Sequence, residues 1–373
     1  MDAVLGDAED QLAFFDVGEV PSVYVGGGTP SVLGAARIEK LLAGLRRLLV
    51  PRGGPPAELT VEANPESADG DFLRACADGG ASRISFGVQT FHDESRRAIG
   101  RAGDSKLVLR RLELAARLFP GALCADLIAG LPFQTPGALE NDAKLLLGFG
   151  PAHVSLYSLT LEPETVLGGR VFAAAGGEEG RSKLGLPTED EADGLWIAGR
   201  DMLEAAGLSQ YEVSNFALPG RACVHNLRYW RMESWLGAGP AASGTVIDET
   251  PDGSRPASAR RFSYPRDAAG YLAAPRPLIT GCAVSERLSG SELMRDTLLM
   301  GFRHREGPDA QSFERRFGLG IGECIPETVA RWRGRGFFGS EGFAPSREGL
   351  LFVNGFLRDA FAELERGGSC GPA

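Results

Sequence analysis

The sequence predicts an α/β fold built on a parallel sheet, and three observations carry that expectation. Short apolar, β-branched runs alternate with stretches of helical periodicity. The first such run, Ser22-Val23-Tyr24-Val25, stops abruptly in Gly26-Gly27-Gly28 before Thr29-Pro30, which reads as a buried strand feeding a turn lined by backbone. Polar residues then recur where each later run ends, at Glu62, Gln89, Asp126, Ser158 and Thr160. In a barrel or an open α/β sheet these ends share one rim, where loops build a site. Alone, each is equally well a solvated turn or a satisfied buried acid; their recurrence is what points to a site.

Taken in order, Met1 to Val20 places Leu5, Leu12, Phe14 and Phe15 among acids, as in the back half of an amphipathic helix. The chain is therefore expected to begin inside an element. After the glycine turn, Ile38, Leu41, Leu42, Leu45, Leu48 and Leu49 form a helical stripe. Further strands are expected at Glu58–Glu62, Arg83–Gly87, Ala122–Leu127 and His153–Leu159, with a helical pattern through Leu107, Val108, Leu112, Ala115 and Leu118. Thr188-Glu189-Asp190-Glu191 is a capping box that opens a long helix ending at Gly207. Another strand is expected at Gln210–Val213. Cys223, His225, Tyr229, Trp230 and Trp235 then gather in thirteen residues.

Composition divides the chain into 1–247, a hairpin or linker at 248–284 rich in Pro, Arg, Ala and Ser, and a helical, winged-helix-like unit at 285–373. In that last unit Ser285 to Leu298 reads as helical, Phe337, Phe338 and Phe343 as a small hairpin, and Leu350 to Phe361 as a final helix. With 49 acidic against 39 basic residues and a formal charge of −10, nucleic acid is an unsuitable main partner. No apolar run approaches the roughly 20 residues that cross a bilayer, and Met1–Leu5 lacks the start of an export signal, so the expected location is cytoplasmic. The six cysteines, Cys76, Cys124, Cys223, Cys282, Cys324 and Cys370, lie more than forty residues apart, and no CxxC or CxxxCxxC exists. Cys370-Gly371-Pro372-Ala373 reads as a frayed tail.

The motifs Gly26-Gly27-Gly28-Thr29-Pro30, Val61-Glu62-Ala63-Asn64-Pro65, Ser85-Phe86-Gly87-Val88-Gln89-Thr90-Phe91, Asp126-Leu127-Ile128-Ala129-Gly130-Leu131-Pro132 and His225-Asn226-Leu227-Arg228-Tyr229-Trp230 closely resemble those of the HemW-type haem chaperones. These are radical S-adenosylmethionine (SAM) proteins related to oxygen-independent coproporphyrinogen III oxidase. The likeness runs in order from about Leu5 to about Leu364. It implies a partial (β/α)6 barrel, TIM-like and of the radical SAM type, holding SAM and a [4Fe-4S] cluster, with a C-terminal domain against its open side. In this chain the barrel would lack its first strand.

By that resemblance Gly27, Gly28 and Thr29 hold the methionine moiety of SAM, Glu62 accepts from its polar groups, Gln89, Arg101 and Asp126 contact it, and Ser158 lies near its adenosyl group. For haem, His225 is the candidate axial ligand, with Cys223 as second choice, since iron accepts imidazole or thiolate. Tyr229, Trp230 and Trp235 offer flat faces to a porphyrin. His225 is equally read as a packed histidine bonded to backbone. Relatives commonly carry histidine where this chain has Ala242, which weakens a two-histidine arrangement.

The implied cluster loop is absent here: about 25 residues precede the glycine turn, none of them cysteine. Two explanations stand, a truncated start and a short form that retains binding alone, and the first is favoured. The expected function is a haem chaperone that binds haem and SAM and passes haem to haem-requiring acceptor proteins, membrane-associated ones among the candidates. The alternatives are a coproporphyrinogen oxidase-like radical SAM enzyme of porphyrin biosynthesis and a remnant that binds only SAM.

Overall fold

Five parallel strands joined by helices frame the first two-fifths of the chain. The computed structural model describes residues 1–173, 178–250, 257–274, 284–339 and 341–366. Helix α1 (Asp2–Phe14) precedes β1 (Ser22–Val25), a 3-10 turn at Pro30–Leu33 and α2 (Gly34–Leu49). Then come β2 (Glu58–Ala63), α3 (Gly70–Asp78), β3 (Arg83–Gln89), α4 (Asp93–Ala98), α5 (Ser105–Leu118), β4 (Leu123–Ala129), α6 (Pro136–Leu147) and β5 (His153–Ser158). Helices α7 (Val166–Ala173), α8 (Glu178–Lys183) and α9 (Glu189–Ala205) lead to the short strands β6 (Ser209–Gln210) and β7 (Asn215–Ala217).

The sheet order is β1-β2-β3-β4-β5-β7-β6. Each parallel strand lies beside its predecessor, as in a barrel, rather than reversing at a switch point. Alternation along the strands explains the layering. Leu59, Val61, Ala63, Ile84, Phe86, Val88, Ala125, Leu127, Ala129, Val154 and Leu156 are buried against the helices in one core with Ile38, Leu42, Phe72 and Leu112. The opposite face carries Glu58, Thr60 and Glu62 on β2, and Cys124 and Asp126 on β4.

The strand expected at Gln210–Val213 is broken: the chain turns after Gln210, where the Glu212 carboxylate accepts the Ser214 N–H at 3.1 Å, and resumes as antiparallel β7. A side chain that bonds its own backbone two residues on favours a turn over a ladder. The Thr188 capping box forms as its residue types dictate, each partner of Thr188 and Glu191 bonding the other's backbone.

Helix α10 (Val224–Trp230) lies against β1, and β8 (Ser243–Asp248), β9 (Ser258–Ser263) and β10 (Val284–Leu288) form an antiparallel sheet with β9 central. Helix α11 (Ala268–Ala273) follows β9. This sheet draws on all three compositional stretches. Ser285–Leu288, expected as helical, pairs with Ala259–Phe262 as strand. The helix starts only at the capping box of Ser289 and Glu292, because that box supplies the first free N–H acceptors. Helices α12 (Gly290–Gly301), α13 (Ala310–Phe317), α14 (Ile321–Cys324), α15 (Pro326–Gly334) and α16 (Val353–Arg366) close over a second core containing Phe302, Phe313, Phe317, Trp332, Phe337 and Phe356. The expected wing is a single antiparallel bridge, Phe338 with Pro345.

Helix α1 joins the two parts. Its buried Asp7 accepts from Tyr264 Oη at 3.0 Å and Tyr271 Oη at 2.7 Å, while Leu5 fills the space that a side chain at Gly44 of α2 would need. On the far side Arg347 pairs with Asp201 and Glu204 of α9. Cys282, Cys370 and the terminal Gly371-Pro372-Ala373 lie outside the described residues. No helix among the described residues is long and apolar enough to cross a membrane.

Candidate functional site

The carboxyl ends of β1 to β5 assemble a polar rim. Beyond Val25 the residues Gly26 to Thr29 are exposed, and Gly27 takes a φ of 79°, a conformation that glycine adopts without strain. A Cβ on Gly26 would stand 2.7 Å from the Glu62 carboxyl carbon, so the turn needs glycine for close approach as well as for curvature. One Glu62 oxygen accepts the Gly27 N–H at 3.3 Å, and the other accepts the Tyr24 O–H at 2.8 Å. Burial and the Glu62 charge push the Tyr24 phenol well above its ordinary range, so it stays a donor.

Gln89 closes β3 at a register shift, with a φ of 68° rare outside glycine. Its Oε1 is buried without a hydrogen-bond partner. Asp126, in the middle of β4, accepts from the Ser155 side chain. Burial first, and then the charge of Glu62, raise its carboxyl to about 6. Arg101 stands 3.6 Å from Glu66, and its charge works on Asp126 in the opposite sense. Ser158 ends β5 and is exposed. Of the residues singled out in the sequence, Gly27, Gly28, Thr29, Glu62, Gln89 and Ser158 stand at or just past strand ends, whereas Asp126, expected at a strand end, lies inside β4, which stays paired as far as Ala129, and is coupled to Glu62 and Arg101 by charge alone.

Sequence reasoning missed the supports of this rim. Arg96 is buried and donates to the carbonyls of Val88, Thr90 and Gly103 while pairing with Glu66, and so fixes the loop that carries Arg101. Tyr24 was legible in principle, since strand alternation puts it on the same face as Ser22, opposite Val23 and Val25.

A second layer lies at the other end of the strands. Glu58, 6% exposed, accepts from Val224 N at 3.0 Å, His225 N at 3.1 Å and Cys223 Sγ at 3.2 Å, and stands 3.5 Å from Arg83. A carboxylate at the start of α10 satisfies N–H groups that have no partner within the helix. His225 is thereby held beside β1: its ring stacks on Tyr24 with centroids 5.0 Å apart, and Nδ1 lies 3.4 Å from Ser22 Oγ. Burial lowers its pKa, which keeps the imidazole neutral.

The other haem candidates need correction. Cys223 is 2% exposed, donates its thiol proton to Glu58 and has its pKa pushed up to about 12, so it offers no thiolate. The aromatic cluster also divides. His225 faces Tyr24, whereas Tyr229 packs on Trp235 at 4.5 Å in a cleft of about 240 Å³ lined by Met232, Met300 and Arg261 as well. Trp230 keeps a buried Nε1 without a hydrogen-bond partner.

The two implied small-molecule groups fare differently. A polar, cationic nucleoside matches the chemistry of the rim, which offers the orphaned buried amide oxygen of Gln89, the mutually coupled carboxylates of Glu62 and Asp126, and the glycine turn bonded to Glu62. An iron–sulfur cluster does not fit the described thiols. Cys76 lies in the first core and Cys324 in the second, while Cys124 and Cys223, at the foot of the strands, are both pushed up to about 12. No cluster of three metal-ligating side chains exists among the described residues.

Comparison with known proteins gives matches on both sequence and fold. Residues 5–146 match the Radical SAM superfamily. The chain is 36% identical over 250 residues to "Heme chaperone HemW" of Escherichia coli, a stretch covering 67% of this chain and 62% of that protein. It is 32% identical over 335 residues to "Heme chaperone HemW" of Lactococcus lactis, covering 88% and 82%. Its fold is similar to that of coproporphyrinogen III oxidase (HemN) from Escherichia coli, described as a radical SAM enzyme, with a TM-score of 0.73 at 20% identity over 96% of this chain and 82% of the other.

Proposed function

The chain belongs to the HemW family of radical SAM proteins, and from that premise we propose that it binds haem through His225, binds SAM on the rim, and hands haem to acceptor proteins. The observation that carries the reading is the setting of His225. The imidazole is kept neutral, its backbone is anchored by Glu58, and no hydrogen bond among the described residues reaches its Nε2. A ligating histidine is held in this way, by a partner at the other ring nitrogen that orients the ring. Ser22 is that partner here. Tyr229, one turn further along α10 and 38% exposed, offers an aromatic face within the reach of a porphyrin.

On the rim, Gly27, Gly28 and Thr29 would hold the methionine end of SAM, Arg101 its carboxylate, and Glu62 and Asp126 would offset its positive charge. When bound, SAM supplies a sulfonium cation flanked by ribose and adenine. Ser158 stands at the open edge, where the adenosyl group would lie. The oxidase-like alternative draws no support from the described thiols.

Titration of the purified chain with haem tests the reading. Wild type is expected to give a saturable absorbance shift that His225→Ala loses and Cys223→Ala retains. An unchanged spectrum and stoichiometry in His225→Ala would remove the assignment.

A further inference from the structure

One side chain touches both proposed sites. The Tyr24 O–H ends on Glu62, whose second oxygen holds the Gly27 N–H of the glycine turn. The Tyr24 ring lies against the His225 imidazole, 27° from parallel. Of the restraints on His225, Glu58 fixes the backbone, while Ser22 and Tyr24 fix the plane of the ring. Among the described residues the phenol has a single acceptor, Glu62. A cation that draws on the Glu62 carboxylate therefore changes the hydrogen bond that sets the tilt of Tyr24, and with it the surface on which the imidazole rests.

We propose that Tyr24 is a positioning residue that couples occupancy of the glycine-turn rim to haem ligation by His225. The inference rests on the functional reading above and adds to it a linkage between the two ligands. Linkage is reciprocal: SAM must change the affinity for haem by the same factor by which haem changes the affinity for SAM. Coupling between two sites of this kind typically amounts to a factor of about 5 or more. The chain of contacts is short, running from Glu62 through Tyr24 to His225 with no other residue between.

The test is a pair of titrations on the full chain. Haem affinity is measured by absorbance with and without saturating SAM, and SAM affinity by calorimetry with and without saturating haem, for wild type and Tyr24→Phe. Wild type is expected to give equal ratios of about fivefold or more in the two directions. Tyr24→Phe, which keeps the ring and removes the O–H, is expected to bring both ratios to one, whatever its affinity for each ligand alone. Glu62→Ala, which removes the acceptor of the Tyr24 O–H altogether, serves as a second variant, and it should likewise bring the ratio of haem affinities to one at SAM concentrations that still saturate it. A wild-type ratio of one, or a Tyr24→Phe ratio equal to wild type, overturns the coupling while leaving the functional reading standing. Wild-type haem affinity in His225→Ala overturns the reading and the coupling together.

Discussion

Removing the Glu58 carboxylate is expected to release α10 from the strands. The carboxylate accepts three hydrogen bonds, from Val224 N, His225 N and Cys223 Sγ, and it faces the buried guanidinium of Arg83 at 3.5 Å. Three bonds to a charged acceptor would sum to several kcal/mol at about 1.5–3 each. Part of that is recovered, because Arg83 keeps the Arg221 carbonyl at 3.1 Å and water can reach freed N–H groups once the helix loosens. The cost of breaking a buried pair, about 3–5 kcal/mol, is the better guide for Glu58→Ala. Glu58→Gln retains an acceptor oxygen and should lose roughly half of that. The described residues form two large cores and two smaller clusters, which can unfold in separate transitions. Local hydrogen exchange is therefore the primary assay: the amides of Val224 and His225 should exchange about 100-fold faster in Glu58→Ala. Urea denaturation followed by tryptophan fluorescence gives the supporting measurement. Unaltered protection at both amides, together with a stability within about 0.5 kcal/mol of wild type, would refute the assignment of Glu58 as the anchor.

Three further outcomes follow from the rim. Gly26→Ala would place a methyl group 2.7 Å from the Glu62 carboxyl carbon and 2.7 Å from the Tyr24 ring. It should weaken SAM binding in calorimetry by about tenfold or more by displacing a charged acceptor, while the circular dichroism spectrum is retained. Asp126 titrates near 6, raised from the model-compound value of 3.8 chiefly by burial. Below that pH it is neutral and attracts a sulfonium less, so affinity for SAM should climb from pH 5 to 7 and lose that slope in Asp126→Asn. The sign for stability is opposite. Between about 4 and 6 the folded chain holds a proton that the unfolded chain has released, so the stability of the ligand-free protein falls as pH rises through this window. Denaturation midpoints for wild type and Asp126→Asn at pH 4.5 and 7.5 check this, with the smaller pH dependence expected in the variant.

Much of the frame was legible in the sequence because it rests on local rules. Alternating apolar runs, a triple glycine after a strand and a Thr–Glu capping box each state their own geometry, so β1 to β5, the glycine turn and α9 stand close to where patterning puts them. The positions of Glu62 and Gln89 at strand ends followed from the same logic, whereas Asp126 lies inside β4, which continues to Ala129. Ser285–Leu288 escaped it because a short amphipathic run fits helix or strand, and only the pairing partner Ala259–Phe262 decides between them.

What pattern could not supply was which polar groups meet. Glu58 and Cys223 are 165 positions apart in the chain, and Tyr24 and His225 are likewise joined only through space. The sequence by itself determined β1 to β5, the glycine turn and the residue types available to hold a cationic nucleoside. The tertiary structure alone decided that Cys223 is sealed against Glu58, that His225 and Tyr229 of α10 meet different aromatic partners, Tyr24 and Trp235, and that one phenol bridges the rim to His225. Local propensity reaches only a few residues along the chain, whereas hydrogen bonding and burial are set by whatever the fold brings within about 3 Å.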